Sequence, residues 1–430
     1  DLAVAFTRLC LPQIFFYGIY TMFSQVLNTR GKFGAPMFAP IANNIVAIST
    51  FLSFIYFAGT AAAAEGNLSS GQVWLLGLGT TLGVVAQALI LIPVLIRAGY
   101  MWRPRFDLRG HGLGKAGKLA VWTIGLVLVN QLTYIVITRL ATQANVNAAA
   151  QEVVAAGLTT YQKAHLVFML PHSVITVSIV TALLPALSRV AHAGKLSQVG
   201  RDISGALRLV SFFIIPVTAI LFVVGISVAV LLFGFGAATT QQAELMGQVI
   251  SIFMLGMIPF TLFYVLLRGY YSLEDTKTPF FITVIFSLVL LVLLVPLFNN
   301  FTGGGAQISF MAACYSGSYW VGLLIAWIVL ARKLGGLQSG TTIASITRMG
   351  VAGLFSVFAM LLAQTQLNNA IFGSSESVDL TDKMSVLIRL SVVVCVGIIS
   401  YLVTAWIFRV PEITLAYRVI REKLGSKVKS

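Results

Sequence analysis

The chain has 430 residues, of which 58% are hydrophobic and only 10% are charged, and its mean hydropathy is +0.93. Because soluble domains carry about 25% charged residues, this composition excludes a soluble enzyme, a disordered chain and a coiled coil. The net charge of +15 comes from 28 Lys and Arg against 13 Asp and Glu. In so apolar a chain this excess indicates the inner face of a membrane before it indicates nucleic acid.

Eleven apolar segments are long enough to cross a membrane as helices, since about 20 apolar residues span roughly 30 Å of hydrocarbon. We therefore predict an all-α polytopic membrane protein and set aside a β-barrel. In chain order, the predicted spans are Leu9–Leu27, Pro36–Gly59, Gln72–Ile96, Leu119–Thr138, His165–Leu187, Leu207–Leu232, Ile250–Leu267, Phe280–Leu297, Ile308–Leu330, Ile346–Leu362 and Val386–Phe408.

Several residue types within these spans carry further expectations. The prolines of the spans predict kinks, because proline removes a helix hydrogen bond. The span amides are expected to bond across helices, and the glycines near Gly77 to let helices pack closely. The prolines are Pro12, Pro171, Pro185, Pro216 and Pro259, and the amides are Asn43, Asn44, Asn130 and Gln131.

The distribution of Lys and Arg predicts the orientation, because cytoplasmic connections are enriched in these residues. The odd-numbered connections and the C-terminal tail hold most of the basic residues, and the longest basic connection is Arg97–Lys118. We predict a cytoplasmic C-terminus, with Asp1 on the outer side. The charge then reflects topology and not nucleic-acid binding.

Two turns suggest an internal repeat. The first span contains Pro12 and leads into the turn Leu27–Pro36; the seventh contains Pro259 and leads into Arg268–Pro279. In both, a proline-containing span precedes a basic polar turn with a lysine and a second proline, which opens the next helix. If span one matches span seven, three counterpart spans should precede span one. The repeat therefore predicts an N-terminally truncated chain from a parent of fourteen spans.

Three strings of the sequence resemble those of a known family. They are Leu27-Asn28 with Phe33, Pro36-Met37-Phe38-Ala39-Pro40 and Asn44; Gly269-Tyr270-Tyr271-Ser272 with Asp275-Thr276-Lys277-Thr278-Pro279; and Leu184-Pro185-Ala186-Leu187-Ser188. Together they resemble the MurJ (MviN) lipid II flippases of the MOP exporter superfamily, and the likeness extends through essentially the whole chain.

The resemblance implies fourteen helices, arranged as two pseudo-symmetric six-helix lobes plus two extra helices. It divides the chain into the remainder of the N-terminal lobe (1–105), the C-terminal lobe (106–335) and two additional spans with a basic tail (336–430). It also implies transport of the undecaprenyl-pyrophosphate-linked precursor lipid II across a bacterial inner membrane by alternating access. Cell-wall synthesis and division proteins are expected partners.

Ionisable residues within spans are the default candidates for substrate binding, because burying them is costly. His165 shares a helical face with Gln162, while Lys163 lies beside them and Arg139 ends the preceding span. The resemblance implies an arginine at the position of Leu166, so His165 or Lys163 is expected to replace it. The alternative for Lys163 and Arg139 is anchoring at the outer interface.

Further candidates lie at the span ends. Arg8 is predicted at the outer mouth of span one, and the pseudo-symmetric cytoplasmic turns are expected to meet the pyrophosphate. Simple interfacial anchoring is the alternative for all of them. The basic residues of the two turns are Arg30, Lys32, Arg268 and Lys277.

The sequence contains no recognisable catalytic motif, and its three cysteines lack the spacing of a disulfide framework or a metal site. We predict no enzyme activity, no metal and no cofactor, and coupling to the membrane potential or to an ion stays open. The absence of Asp and Glu from the predicted spans weakens a proton-driven drug antiporter. The alternatives are a MOP-type exporter of another lipid-linked glycan or a drug, and a non-transporting scaffold for cell-wall synthesis.

Overall fold

The computed structural model describes residues 2–64, 68–100, 113–235, 239–372, 380 and 382–413. Every regular element within these ranges is helical, which confirms the predicted all-α fold. The chain separates into two compact units, Asp1–Arg109 (unit 1) and Gly110–Ser430 (unit 2). The predicted boundary at 105/106 and most of the basic tail lie outside the described residues. The division into 1–105, 106–335 and 336–430 stays a prediction.

Fifteen α-helices make up the described chain, with a π-helical turn at His172–Thr176 and a 3-10 turn at Phe298–Asn300. Unit 1 contains α1 (Leu2–Cys10), α2 (Gln13–Thr29), α3 (Gly34–Ala64), α4 (Ser70–Leu89) and α5 (Leu91–Arg97). Unit 2 contains α6 (Leu113–Ala150), α7 (Leu158–Pro171), α8 (Val177–His192), α9 (Leu196–Phe233), α10 (Thr240–Met254), α11 (Met257–Ser272), α12 (Lys277–Leu297), α13 (Gly304–Leu334), α14 (Ser339–Phe372) and α15 (Lys383–Ile407).

Nine helical segments in the described ranges are long and apolar enough to cross a membrane, and a pair bent by 48°, α10 with α11, makes a tenth. These ten correspond to the second to eleventh predicted spans. The first predicted span differs, because the chain breaks at Leu11–Pro12 into α1 and α2. Proline has no N–H and its ring clashes with the preceding turn, so the helix does not continue through this point.

The α1–α2 break has its counterpart in the bent pair of unit 2, as the repeat predicts. There the break lies at Leu255–Gly256, between α10 and α11, and Pro259 follows inside α11. The breaks, and not the prolines, are equivalent. This accounts for the unequal spacing of the two prolines from the turns that follow.

The turns after the two broken helices have the same backbone geometry and the same length. Lys32 N–H donates to the Leu27 carbonyl (2.9 Å), and Asp275 N–H donates to the Tyr270 carbonyl (3.0 Å). Both are the long bond of a Schellman motif. The left-handed residue is Gly31 in unit 1 (φ 71°) and Glu274 in unit 2 (φ 56°).

At both breaks, side chains of a neighbouring helix donate hydrogen bonds to backbone carbonyls. In unit 1, Thr81 of α4 donates its hydroxyl to the Leu9 carbonyl (2.7 Å). In unit 2, Ser316 of α13 donates to the Ile252 carbonyl (3.3 Å), and the Trp320 indole donates to the Leu255 carbonyl (3.2 Å). In a bilayer a broken helix persists only if such groups find partners.

Not every span proline interrupts its helix. After Pro171 the chain forms one π-helical turn, in which the Val177 N–H donates to the His172 carbonyl. By contrast, α8 and α9 run unbroken through Pro185 and Pro216. The kinks predicted at those two positions are therefore not accompanied by a helix break.

The C-terminal pair α14 and α15 packs against α9 within unit 2. Tyr401 donates its hydroxyl to the Phe212 carbonyl (3.1 Å). Beyond α15, the buried carboxylate of Glu412 contacts Arg208 of α9 (3.1 Å) and accepts the Ser345 hydroxyl (3.0 Å). The buried carboxylate of Glu412 thus links the segment after α15 to α9 through an ion pair and to α14 through a hydrogen bond.

The glycines of α4 permit the close packing that the sequence predicts. A Cβ added at Gly77, Gly79 or Gly83 would lie closer than 3.0 Å to side chains of α1 or α3, namely Leu9, Thr50 or Asn43. This tight contact surface leaves no room for even a methyl group.

We predict that Gly79→Ala lowers the free energy of unfolding in detergent by about 1–3 kcal/mol, because the methyl group overpacks the contact with Thr50. Gly18→Ala is the matched control, since an added Cβ there meets nothing within 4 Å. Denaturant unfolding of the two variants measures the difference. Equal stability of both would contradict the packing account.

Candidate functional site

A cavity of about 270 Å³ lies in unit 2 between α6, α7, α12 and α13. Its lining combines aromatic rings with neutral hydrogen-bonding groups, and none of the described residues that line it carries a carboxylate, lysine or arginine. The lining residues are Asn130, Gln131, Thr133, Tyr134, Ile137, Tyr161, His165, Phe286, Ser287, Leu290, Tyr315, Ser318 and Tyr319.

His165 is held in this cavity by aromatic neighbours from three helices. Its Nε2 lies 3.3 Å from the Tyr315 hydroxyl, and its ring stacks on Tyr161 at a centroid distance of 6.3 Å. Phe253 of α10 contacts the ring edge-on (5.6 Å). Since the Tyr315 hydroxyl can donate or accept, the histidine can present either a donor or an acceptor to the cavity.

The amides that line the cavity, Asn130 and Gln131, lie on α6, and Gln162 of α7 lies outside the lining. Gln162 donates to the Tyr134 hydroxyl (2.8 Å), which joins α7 to α6 beside His165. Asn130 donates to the Leu126 carbonyl of its own helix (3.1 Å). The expectation that Asn130 bonds across helices is therefore wrong, because its side chain closes onto its own turn while lining the cavity.

Lys163 and Arg139 do not join this cavity. Lys163 lines a separate cavity on the other side of α7, where its Nζ lies 5.4 Å from the ring centroid of Phe233. Arg139 is exposed, as is Leu166, the position at which the resemblance implies an arginine. The structure therefore places His165 in the cavity, links Gln162 to it only through Tyr134, and places Lys163 elsewhere.

The three basic candidates of unit 1 are exposed. Arg8 lies in the last turn of α1, and Lys32 in the α2–α3 turn. Arg30 in the same turn donates to the Ala98 carbonyl at the end of α5 and lies 5.7 Å from the ring centroid of Tyr100. Arg30 thus ties the turn to the end of the third span of unit 1.

Arg268 and Lys277 lie close to aromatic rings of unit 2. The Arg268 guanidinium lies 4.2 Å from the ring centroid of Tyr264 on the same helix, and its Nε is buried without a hydrogen-bond partner among the described residues. Lys277 is exposed, with its Nζ 5.6 Å from the ring centroid of Trp122. Among the described residues, neither cation has a hydrogen-bond acceptor that saturates its donors.

The Asp-Thr-Lys-Thr-Pro string forms a polar junction with α13. Asp275 accepts the backbone N–H of Thr278 (3.0 Å), and Lys333 near the end of α13 donates to Asp275 and to the Thr278 hydroxyl (2.8 Å). Burial alone would raise the pKa of Asp275, but the hydrogen bonds from Lys333 and Thr278 outweigh it and hold the pKa below its ordinary value.

Because the folded-state pKa of Asp275 is lowered, its carboxylate stabilises the fold above the unfolded pKa of about 3.9. That contribution is lost as the pH falls through the folded-state pKa. We predict that Asp275→Asn is less stable than the wild type at neutral pH, and that the difference shrinks below about pH 4 as the wild-type carboxyl protonates. Thermal unfolding across this pH range measures it.

The control for this prediction is Asp202→Asn, since Asp202 of α9 has no ion pair within the described ranges. An equal loss of stability in both variants would contradict the assignment, as would a difference that persists unchanged in acid.

Comparison with known proteins places these features in a family. The family model described as lipid II flippase MurJ matches residues 1–378 of the chain. The chain belongs to the MurJ family.

Curated MurJ relatives cover most of the chain at modest identity. A probable lipid II flippase MurJ of Buchnera aphidicola is 26% identical over 336 residues, 77% of this chain and 59% of that protein. The probable lipid II flippase MurJ of Vibrio cholerae is 28% identical and aligns with 65% of this chain and 49% of that protein. The one of Rhizobium meliloti is 24% identical and aligns with 84% of this chain and 63% of that protein. The chain therefore spans less than two thirds of the length of these relatives.

A solved structure described as lipid II flippase MurJ in an inward closed conformation has a TM-score of 0.65. The match covers 94% of this chain and 73% of the chain in that structure, at 19% sequence identity. At that identity the likeness shows the fold alone, and it agrees with the all-α polytopic architecture.

The tyrosines of the cavity are the functional candidates that the sequence did not reveal. Tyr161 precedes His165 by one helical turn, and Tyr315 precedes Tyr319 by one turn, so each pair lies on one face. Polar aromatic residues at this spacing in otherwise apolar spans were the available signal. Because tyrosine carries no charge, a search for ionisable residues within spans does not single it out.

Proposed function

We propose that the protein moves the lipid-linked peptidoglycan precursor lipid II from the inner to the outer leaflet of the bacterial cell membrane by alternating access. The observation that carries this proposal is the family match over residues 1–378. The relatives named above carry the same description. Enzymes and partners of cell-wall synthesis and division would then act on the transported product.

The cavity around His165 would bind the uncharged part of the headgroup. Its tyrosine, serine and amide groups offer donors and acceptors without net charge, which suits sugar hydroxyls and peptide groups. The pyrophosphate would instead meet the cations at the turns, among which Arg268 has a buried, unpartnered Nε. Bidentate arginine contacts suit such an anion.

An apolar cavity offers a place for part of the lipid tail. It has a volume of about 270 Å³ and lies between α9, α14 and the α10–α11 break. Ile215, Phe222, Leu255, Trp320 and Leu354 are among its walls. Such a surface would shelter an acyl or prenyl chain without polar contacts.

We predict that His165→Ala slows lipid II translocation by about tenfold, because it removes a hydrogen-bonding group worth about 1–2 kcal/mol from the cavity. The measurement is the outer-leaflet lipid II pool in a strain that depends on the full-length protein for this step. His192→Ala, at an exposed position at the end of α8, is the control.

Two outcomes separate the site from the function. If depletion of the protein leaves the outer-leaflet pool unchanged, the flippase proposal is wrong. If depletion lowers the pool but His165→Ala, present at the wild-type level in the membrane, restores it fully, only the cavity assignment is wrong.

The predicted orientation is a further part of the proposal. In a chain without its native cysteines, Gln241→Cys should react with a membrane-impermeant maleimide in intact cells, because it lies in the predicted outer connection. Ser197→Cys at the other end of α9 should react only after permeabilisation. The reverse pattern would contradict a cytoplasmic C-terminus.

A further inference from the structure

The second polar cavity of unit 2 contains a cation, Lys163, that makes no ion pair with the described residues. It has a volume of about 320 Å³ and lies between α6, α7, α9 and α10. Its polar lining consists of Thr142, Asn145, Thr159, Thr160, Lys163 and Gln242. None of the described lining residues is acidic, and Glu244 of α10 is not among them. A half-buried ammonium in such a place attracts an anion.

The start of α7 adds backbone donors to the same cavity. Gly157 provides no side-chain cap, and an added Cβ there would collide with Asn145 and the Ala141 carbonyl. The N–H groups at Leu158, Thr159 and Thr160 lie in the first turn, where a helix provides no acceptor for them. Gly157 supplies no side-chain acceptor in its place. Free amides and the helix dipole together favour negative charge at this end.

Thr160 supplies an independent sign of a missing partner. The residue is only 7% exposed and lines the cavity, yet its hydroxyl makes no hydrogen bond with the described residues. Because its oxygen is not among the fully enclosed, unpartnered atoms of the described chain, the hydroxyl stays open to the cavity and free to bind. The ammonium, the free amides and this hydroxyl are three kinds of donor around one space.

We propose that this cavity binds a phosphate group, supplied either by free inorganic phosphate or by the headgroup of an anionic phospholipid. A tetrahedral oxyanion can use several donors at once, and the volume lies at the small end of the roughly 300–1,000 Å³ of ligand sites. The proposal does not depend on the flippase activity, because the site is separate from the His165 cavity.

The first test is equilibrium binding of labelled inorganic phosphate to the full chain in phosphatidylcholine nanodiscs. We expect saturable binding that weakens about tenfold or more in Lys163→Gln and about fivefold in Thr160→Val. Lys163→Arg, which keeps the charge, should retain binding. Arg139→Gln removes an exposed cation from the neighbouring helix and should bind like the wild type.

The second test identifies the source of the phosphate. Phosphatidylglycerol is added to the nanodiscs, and its displacement of labelled phosphate and its retention in native mass spectra are measured. If phosphatidylglycerol displaces the labelled phosphate, and if its retention in the mass spectra requires Lys163, the phosphate belongs to a lipid headgroup. Saturable phosphate binding that phosphatidylglycerol does not displace supports the free anion.

Two results would overturn the proposal. One is the absence of both saturable phosphate binding and Lys163-dependent lipid retention. The other is an equal loss of binding in Arg139→Gln and Lys163→Gln, which would indicate diffuse surface charge. Thr160→Val and Lys163→Arg change the side-chain volume little and are expected to fold. They therefore test the site even if Lys163→Gln folds poorly.

Discussion

The bilayer obliges each backbone carbonyl to find a donor, and the two broken helices of this chain depend on how that requirement is met. Hydrocarbon offers no water to the groups that a break releases. In unit 1 a threonine hydroxyl of α4 reaches the Leu9 carbonyl, and in unit 2 a serine and a tryptophan of α13 reach the Ile252 and Leu255 carbonyls. The helix that satisfies the break also packs closely against it, since a Cβ on Gly77 or Gly256 would collide with the partner helix. In each unit, the helix that packs closely against the break is therefore also the helix whose side chains donate to the carbonyls there.

Charge is kept out of the described His165 cavity and concentrated near helix ends. Stacked aromatic rings and hydroxyls line that cavity, while Arg30, Arg268 and Lys277 lie at the turns. This separation follows from the cost of placing an ion at the centre of a bilayer. Under the proposed function, recognition would divide between a neutral surface that binds hydroxyl and amide groups and cationic helix ends that bind anions. Lys163 belongs to the second group, because it lies one turn from the start of α7.

Much of the fold could be predicted from the sequence, because length and hydropathy directly report the membrane constraint. Ten of the predicted spans have their counterparts, and the small residues around Gly79 lie at helix contacts. The break at Pro12 was not predicted as such, since a proline in a span can be tolerated, as Pro216 is in α9. The site was harder to predict. His165 and Lys163 are two residues apart in sequence but face different cavities, because the rotation of a helix separates neighbours that a residue count brings together. The cavity tyrosines come from three helices, and no local pattern shows that these helices meet.

The ties that hold the turn after each broken helix differ in kind. In unit 1 Arg30 donates to a main-chain carbonyl at the end of α5, whereas in unit 2 Lys333 of α13 donates to the side chain of Asp275. The helices end alike, at Gly99 and Gly335 with φ of 73° and 71°, so the junction itself is shared. Every residue has a backbone carbonyl, so a substitution at the acceptor position keeps the acceptor of unit 1. Only a substitution of Arg30 removes this hydrogen bond. In unit 2, by contrast, a substitution of either Lys333 or Asp275 removes the hydrogen bond. Two turns with the same backbone geometry therefore differ in the number of side chains on which their attachment depends.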